Sequence, residues 1–403
     1  MTAAPPLPRT APEPATSRIG LVDALRGFAL FGILAVNITY FGSPFQGTGI
    51  ADPAHHGALD TAVHLAVTAL FETKFFLLFS FLFGYSFTLQ MDSAARRGAR
   101  ITRRFPRRLA GLFVIGAAHA VLLFPGDILT TYALLGVVLL VLRRLRPRRA
   151  LWVAAGLLVL AAAAYALLAI ALHASGGAGG PDPAAAGRAL ATGAAYRGGP
   201  GEVIAQHLRD LPDTAALLLL FQAPAALAMF LAGLAAGTRR ALADAGRHRR
   251  RLRWIMVAGL SVGLPAGALY AYVETYRAGT PAELAVLALD LLAAPALAAA
   301  YGAAVLLAGT ARPRLAAALA PAGRMALSNY LFQSLVCSLL FTGYGAALTG
   351  RLGPPAVFAV AVALFAVQLP LSAWWLRRHR YGPVEWLLRM VTNAEVPPWR
   401  ITR

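Results

Sequence analysis

The residues of this chain that could carry acid-base or ionic chemistry are few, and they fall into two groups. The first holds His119 and Asp127, eight positions apart. A histidine near a carboxylate can act as a general base, with the carboxylate orienting the ring and supporting its imidazolium. Lys74, the only lysine of the chain, follows Glu72 by two residues, and either Lys74 or Asn37 could stabilise an oxyanion. His55 and His56 are a second choice of catalytic histidine, and His64 lies at a loop margin. The second group holds Asp23, Arg26, Arg324, Ser328, Asn329, Gln333, Ser334, Glu385 and Arg389. Asp23 and Arg26 stand at i, i+3 and can pair on one helix face. No regular catalytic spacing links these residues, and each has a structural reading beside the chemical one. His119 could be a packed neutral imidazole, Glu72 and Lys74 an interfacial ion pair with a snorkelling ammonium, and Asp127 a helix N-cap. The polar face Ser328, Asn329, Tyr330, Gln333 could serve hydrogen bonding between helices.

The elements that must position them are read from hydropathy. The chain has 403 residues, of which 58% are hydrophobic and 13% charged, with a mean hydropathy of +0.63. Its apolar residues come in blocks of about twenty, the length that crosses a hydrocarbon core of about 30 Å. Ten spans are expected, near residues 20–42, 66–91, 108–124, 127–143, 150–173, 215–237, 254–273, 284–309, 324–346 and 355–376. The fold class is therefore all-α, a polytopic transmembrane helical bundle with the lipid bilayer as its first partner. Ionisable groups at membrane depth cost at least a few kcal/mol each unless paired or hydrated, so both groups are functional candidates by default.

Charge sets the expected orientation. The formal charge of +20 comes almost wholly from arginine in short loops, about thirty of the 37 cations falling on one side of the bundle. That side is assigned to the cytoplasm, with both termini inside. The same clustering gives the charge a membrane explanation, and no nucleic-acid partner is expected. The expected organisation is a disordered cytoplasmic tail over 1–19, a four-helix unit over 20–149 holding the candidate site, a fifth span with an outer loop over 150–214, a C-terminal membrane domain over 215–390 and a tail over 391–403. The start lacks the pattern of a cleavable signal peptide. Pro125, Gly126 and Asp127 make a tight hairpin of spans three and four, and the stretch 174–213 is long enough for a flap or an amphipathic cap. The single cysteine, Cys337, leaves no disulfide framework and no cysteine metal site, and no metal is expected. Phosphate-loop and HExxH motifs are absent, as is any evident internal repeat.

The segment Arg18 to Ala29 (RIGLVDALRGFA), leading to Val36 and Asn37, resembles the start of the membrane acyltransferase superfamily, which includes acyltransferase family 3 and the lysosomal heparan-α-glucosaminide N-acetyltransferase. Lys74, Phe75 and Phe76 with Phe83 and Gly84, then His119, Gly126 to Leu129 and Tyr132, then Ser328 to Tyr330 with Gln333, and finally Tyr381 to Pro383 with Glu385, Trp386 and Arg389, resemble the YeiB family, whose C-terminal half is the domain of unknown function 418. The YeiB resemblance covers almost the whole chain and points to a bacterial cytoplasmic membrane. The wider superfamily implies transfer of an acyl group from cytoplasmic acetyl-CoA or another acyl-CoA to an acceptor on the outer face, through a membrane-embedded histidine. The heparan enzyme's histidine would fall at position 48, which here is Thr48, so His119 becomes the first candidate base, with Asp127 orienting it. Arg26, Arg324 and Arg389 would hold the phosphate end of the donor.

These residues leave three functions open. One is an acyltransferase acting on a glycan, lipid or metabolite. The second is a transporter using Glu72, Lys74, His119 and Asp127 as a relay, and the third a non-catalytic scaffold or sensor. A homodimer is a possible assembly.

Overall fold

The computed structural model describes residues 15–175, 183–242 and 246–401. Among them the chain is helical, and its one pairing of extended backbone is an isolated bridge between His379 and Arg400. The helices are α1 Ala15–Gly42, α2 Ala58–Leu70, α3 Lys74–Arg96, α4 Ile101–Leu122, α5 Ile128–Leu142, α6 Pro147–Ala174, α7 Pro183–Tyr196 and α8 Pro200–Ala216. After a π-helical turn at Leu217–Gln222 come α9 Ala223–Thr238, α10 Arg249–Tyr276, α11 Pro281–Ala311, α12 Pro313–Arg324, α13 Ala326–Phe341, α14 Pro354–Arg378 and α15 Pro383–Asn393. Pro147, Pro200, Pro281, Pro313, Pro354 and Pro383 each open a helix, where the missing N–H costs nothing and φ is already helical.

Eight helical segments are long and apolar enough to cross a membrane by length and composition, and two shorter apolar helices, α5 and α13, join them. All ten overlap the spans read from the sequence. At 1.5 Å per residue α5 is about 22 Å long, short of a 30 Å core, so it relies on its neighbours and the hairpin loop to complete a crossing. Large apolar side chains such as Trp152, Leu160, Leu167, Val141 and Leu220 point outward, the surface a lipid-facing bundle requires.

Small residues let the backbones touch. A Cβ on Gly84 would lie 2.0 Å from the Phe230 carbonyl oxygen, and one on Gly233 2.1 Å from that of Phe81, so α3 and α9 cross in direct backbone contact. Gly27 and Gly323 do the same for α1 and α12, with a Cβ 2.4 Å from the Leu319 oxygen and 1.8 Å from the Asp23 oxygen. Phe28, Phe75 and Tyr301 fill the space between α1, α3 and α11.

Four details refine the sequence reading. The second span is preceded by α2 and broken at residues 71–73, where Thr73 has φ 62, so Glu72 and Lys74 sit at a helix break rather than at a simple span start. The stretch 174–213 contains α7 and α8, the amphipathic cap, with His207 Nδ1 donating to the Val121 oxygen at 2.9 Å and Arg197 donating to the Thr349 oxygen at 2.9 Å. The C-terminal stretch folds back, with the Trp386 indole donating to the Pro397 oxygen and the Ile401 amide to the Arg378 oxygen. At the other end α1 begins at Ala15, and residues 1–14 of the expected tail lie outside the described residues.

Candidate functional site

At the end of the bundle that carries the α4–α5 hairpin, His119 and Asp127 meet. His119 Nδ1 lies 2.9 Å from Asp127 Oδ1, and Asp127 Oδ2 accepts the Thr130 amide at 2.8 Å. Asp127 is therefore the N-cap of α5 and the partner of His119 together. Gly116 makes this approach feasible, since a Cβ there would stand 2.6 Å from Asp127 Oδ2. The pair is enclosed, His119 being 2% exposed. Its Nε2 has no hydrogen-bond partner, and its ring packs against Tyr330, centroids 5.0 Å apart. The Tyr330 hydroxyl and Gln333 Oε1 are likewise buried and unpartnered.

Lys74 does not join this pair. Its Nζ lies 2.9 Å from Asp290 Oδ2 on α11, with both side chains at 0% exposure. The Thr73 hydroxyl adds a bond to the same oxygen at 2.7 Å, and Asp290 Oδ1 is unpartnered. Glu72 turns instead toward the Tyr270 hydroxyl, 3.4 Å away. Asn37 is half-buried on α1, apart from both. Four of the five residues of the first group thus divide between two places, Asn37 joins neither by a described bond, and Asp290, which the sequence reading passed over, is the partner of Lys74. Its signal was a lone carboxylate inside a long apolar run.

A cavity of about 160 Å³ opens at the same hairpin end, lined among others by Ser43, Asp52, His55, His56, His64 and Glu274. His64 Nε2 lies 2.7 Å from Glu274 Oε2, with side chains 27% and 19% exposed. Asp52 accepts the Ser43 hydroxyl at 2.7 Å and the Ala54 amide at 2.9 Å, and stands 3.5 Å from His55 Nδ1. The volume is below the roughly 300–1,000 Å³ that encloses a whole small molecule, so the cavity fits the reacting end of a larger one. His64 and Glu274 form a histidine held by a carboxylate beside open space, which His119 lacks. Sequence reasoning left His64 to solvent because Glu274 is 210 residues away.

At the opposite, arginine-rich end, Asp23 and Arg26 form the expected i, i+3 pair at 2.5 Å, and Arg26 also donates to the Ser86 hydroxyl at 2.6 Å. Glu385 on α15 accepts the amides of Leu327 at 2.7 Å and Ser328 at 3.1 Å and the Ser328 hydroxyl, which satisfies the first turn of α13. Burial raises the Glu385 carboxyl above its ordinary 4.5, while the Ser328 hydrogen bonds pull it back. Asn329 donates to the Ser372 hydroxyl at 2.9 Å, Gln333 to Gln368 Oε1 at 2.7 Å and Gln368 to the Asn329 oxygen at 3.1 Å. These bonds stitch α13 to α14, which is the interhelical use of that polar face. Arg389 stacks over Tyr381, 4.6 Å from the ring centroid, and Arg324 is exposed. Among the described residues no three His, Cys, Asp or Glu side chains gather as metal ligands.

Residues 236–395 match a family described as "Protein of unknown function (DUF418)". The chain is 34% identical to the "Uncharacterized protein YxaH" of Bacillus subtilis (strain 168) over 408 residues, covering 96% of this chain and 97% of that one. It is 31% identical to the "Uncharacterized protein YeiB" of Escherichia coli (strain K12) over 394 residues, covering 94% and 97%. No solved structure matches.

Proposed function

We propose that this chain, which belongs to the YeiB-like family whose C-terminal part is DUF418, is a membrane-embedded acyltransferase. It moves an acyl group from acyl-CoA to a glycan, lipid or metabolite whose reacting end enters the hairpin-end cavity. The observation that carries this reading is the His64–Glu274 pair at 2.7 Å inside that cavity. Glu274 fixes the ring through Nε2 and supports its cationic form, leaving Nδ1 as the base. His64 takes the proton of an acceptor hydroxyl or amine. The acceptor oxygen or nitrogen bonds to the thioester carbon, the C–S bond breaks, and the released thiolate takes the proton back from His64. His55 and His56 line the same space. The base is assigned to His64 because a base must lie within reach of the proton it removes, whereas His119 is enclosed. His119 and Asp127 then brace the hairpin. In a bacterial cytoplasmic membrane the arginine-rich end faces the cytoplasm, both termini lie inside, and the donor arrives from that end.

The purified protein is incubated with labelled acetyl-CoA and native envelope material. Label enters envelope material with the wild type, and His64→Ala lowers the rate by about 10²- to 10⁴-fold, the usual worth of a positioned base. Absence of label transfer by the wild type refutes the reading.

One observation favours a second reading, transport: the fully buried Lys74–Asp290 pair stands at a helix break, and broken helices at membrane depth hold substrate and ions in transporters. Gradient-driven flux into proteoliposomes free of any acyl donor would support it over group transfer.

A further inference from the structure

The arginine-rich end holds a cation that makes no ion pair among the described residues. Arg108 stands on α4, at the start of the third expected span and at the edge of the arginine-rich stretch before it. Its Nε is buried without a hydrogen-bond partner, and none of the described ion pairs includes it. The charges that act on it are Glu385 and Arg389 of α15 and Arg26 of α1. Close packing draws these elements together: a Cβ on Gly111 would stand 2.9 Å from Leu388, and Arg104 donates to Asn393.

Both carboxylates nearby are already committed. Asp23 binds Arg26, and Glu385 spends its two oxygens on Leu327 and Ser328. Against these two stand Arg26, Arg108, Arg324 and Arg389, with Arg324 acting on Asp23. Four cations against two committed carboxylates, with the Nε of the half-buried Arg108 enclosed and unbonded, suit an anion. Guanidinium forks match the paired oxygens of phosphate, and a phosphate monoester carries a charge of about −1.5 to −2 at pH 7.

We propose that Arg108, with Arg26 and Arg389, forms a binding site for a phosphate-bearing ligand at the arginine-rich end, in which Arg108 is the half-buried anchor. Where that ligand is the acyl donor, the inference rests on the acyltransferase reading and names how the donor is held. The same chemistry could be presented by a soluble nucleotide-type donor or by an anionic lipid headgroup.

The test uses the full chain in phosphatidylcholine nanodiscs, with affinity measured for CoA added from solution and for phosphatidic acid doped into the disc. The wild type binds one of the two, and Arg108→Gln weakens that binding by about 10- to 100-fold, as loss of a charge-assisted bidentate contact does. Arg108→Lys recovers only part, because an ammonium lacks the fork. Arg389→Gln, whose guanidinium lies over Tyr381, gives a second readout should Arg108→Gln unfold, and thermal unfolding tells which variants are intact. CoA binding alone identifies a soluble donor, and phosphatidic acid binding alone a lipid. Binding of neither, or equal affinities in the folded variants, overturns the site. No acyl acceptor is present, so the two readings separate. Where CoA is what binds, label transfer with an unchanged KM for acyl-CoA in Arg108→Gln sinks the site alone. Arg108-dependent binding without label transfer sinks the acyltransferase alone.

Discussion

Replacing Lys74 by methionine isolates the worth of the deepest ion pair. Methionine keeps an unbranched stem of similar length, so the change removes charge more than volume. Asp290 then keeps one bond, from the Thr73 hydroxyl at 2.7 Å, while its Oδ1 is already unpartnered. A buried pair broken on one side typically costs about 3–5 kcal/mol, because the remaining charge stays desolvated. With both side chains at 0% exposure, Lys74→Met belongs at that end of the scale. The double variant Lys74→Met, Asp290→Leu removes both charges. Thr73 then donates to its alternative acceptor, the Glu72 oxygen at 2.6 Å, so no hydroxyl is orphaned, and replacing a whole buried pair by apolar groups is often neutral or stabilising by about 1–4 kcal/mol. The assay is reversible unfolding in mixed micelles, followed by tryptophan fluorescence, for the wild type, both single variants and the double. The expected pattern is two costly single changes and a double near wild type. A Lys74→Met cost below about 1 kcal/mol, or a double equal to the sum of the singles, would refute the argument.

Tyr330→Phe removes a buried hydroxyl that lies beside the Ile128 backbone without meeting hydrogen-bond geometry and keeps the ring against His119. The variant should unfold later than wild type, by up to the roughly 1–3 kcal/mol that an unsatisfied buried group costs, and a loss of stability would show that the hydroxyl is bonded. Glu385 gives a pH dependence. Its carboxyl is raised in the folded state above the ordinary 4.5, so the folded form holds the proton more tightly than the unfolded one. The contribution is full below 4.5 and fades as pH rises through the folded value. The stability of wild type relative to Glu385→Gln should therefore increase on acidification toward that range, and a difference constant from neutral pH down to pH 4.5 would count against it.

Helix existence was legible because crossing a bilayer demands about twenty apolar residues in a row, and nothing local competes with that signal. Sub-structure within a span was less legible. The break at Thr73 lies in the polar run Glu72, Thr73, Lys74, which the sequence also allows as an interfacial ion pair at a span start, and only the fold shows the Thr73 hydroxyl and Lys74 converging on Asp290. Site residues were legible where the partner is near in sequence, as with Asp23 and Arg26 or His119 and Asp127. Partners far apart, Lys74 with Asp290 and His64 with Glu274, share no spacing rule, so only folding brings them together. Arg108 looked like one more loop cation because it closes an arginine-rich stretch, and its isolation appears only when α15 packs over it.

The interior carries several polar groups that a bundle built for stability alone would omit. Lys74, Asp290, the Tyr330 hydroxyl and Gln333 Oε1 each add a desolvation cost. The crossings at Gly84 with Gly233 and Gly27 with Gly323 work in the opposite sense, since direct backbone contact maximises dispersion between helices. Those contacts hold α1, α3, α9 and α12, and α1 and α3 in turn contribute Arg26, Lys74 and the neighbourhood of the cavity. A rigid frame that places charged groups at both ends of the same helices suits a ligand engaged from both sides. Loosening that frame should harm the two ends together. Gly84→Ala, whose Cβ would meet the Phe230 oxygen at 2.0 Å, is then expected to weaken anion binding at Arg108 and acyl transfer at His64 in parallel, whereas a change confined to the cavity, such as Glu274→Gln, should leave anion binding at wild-type strength.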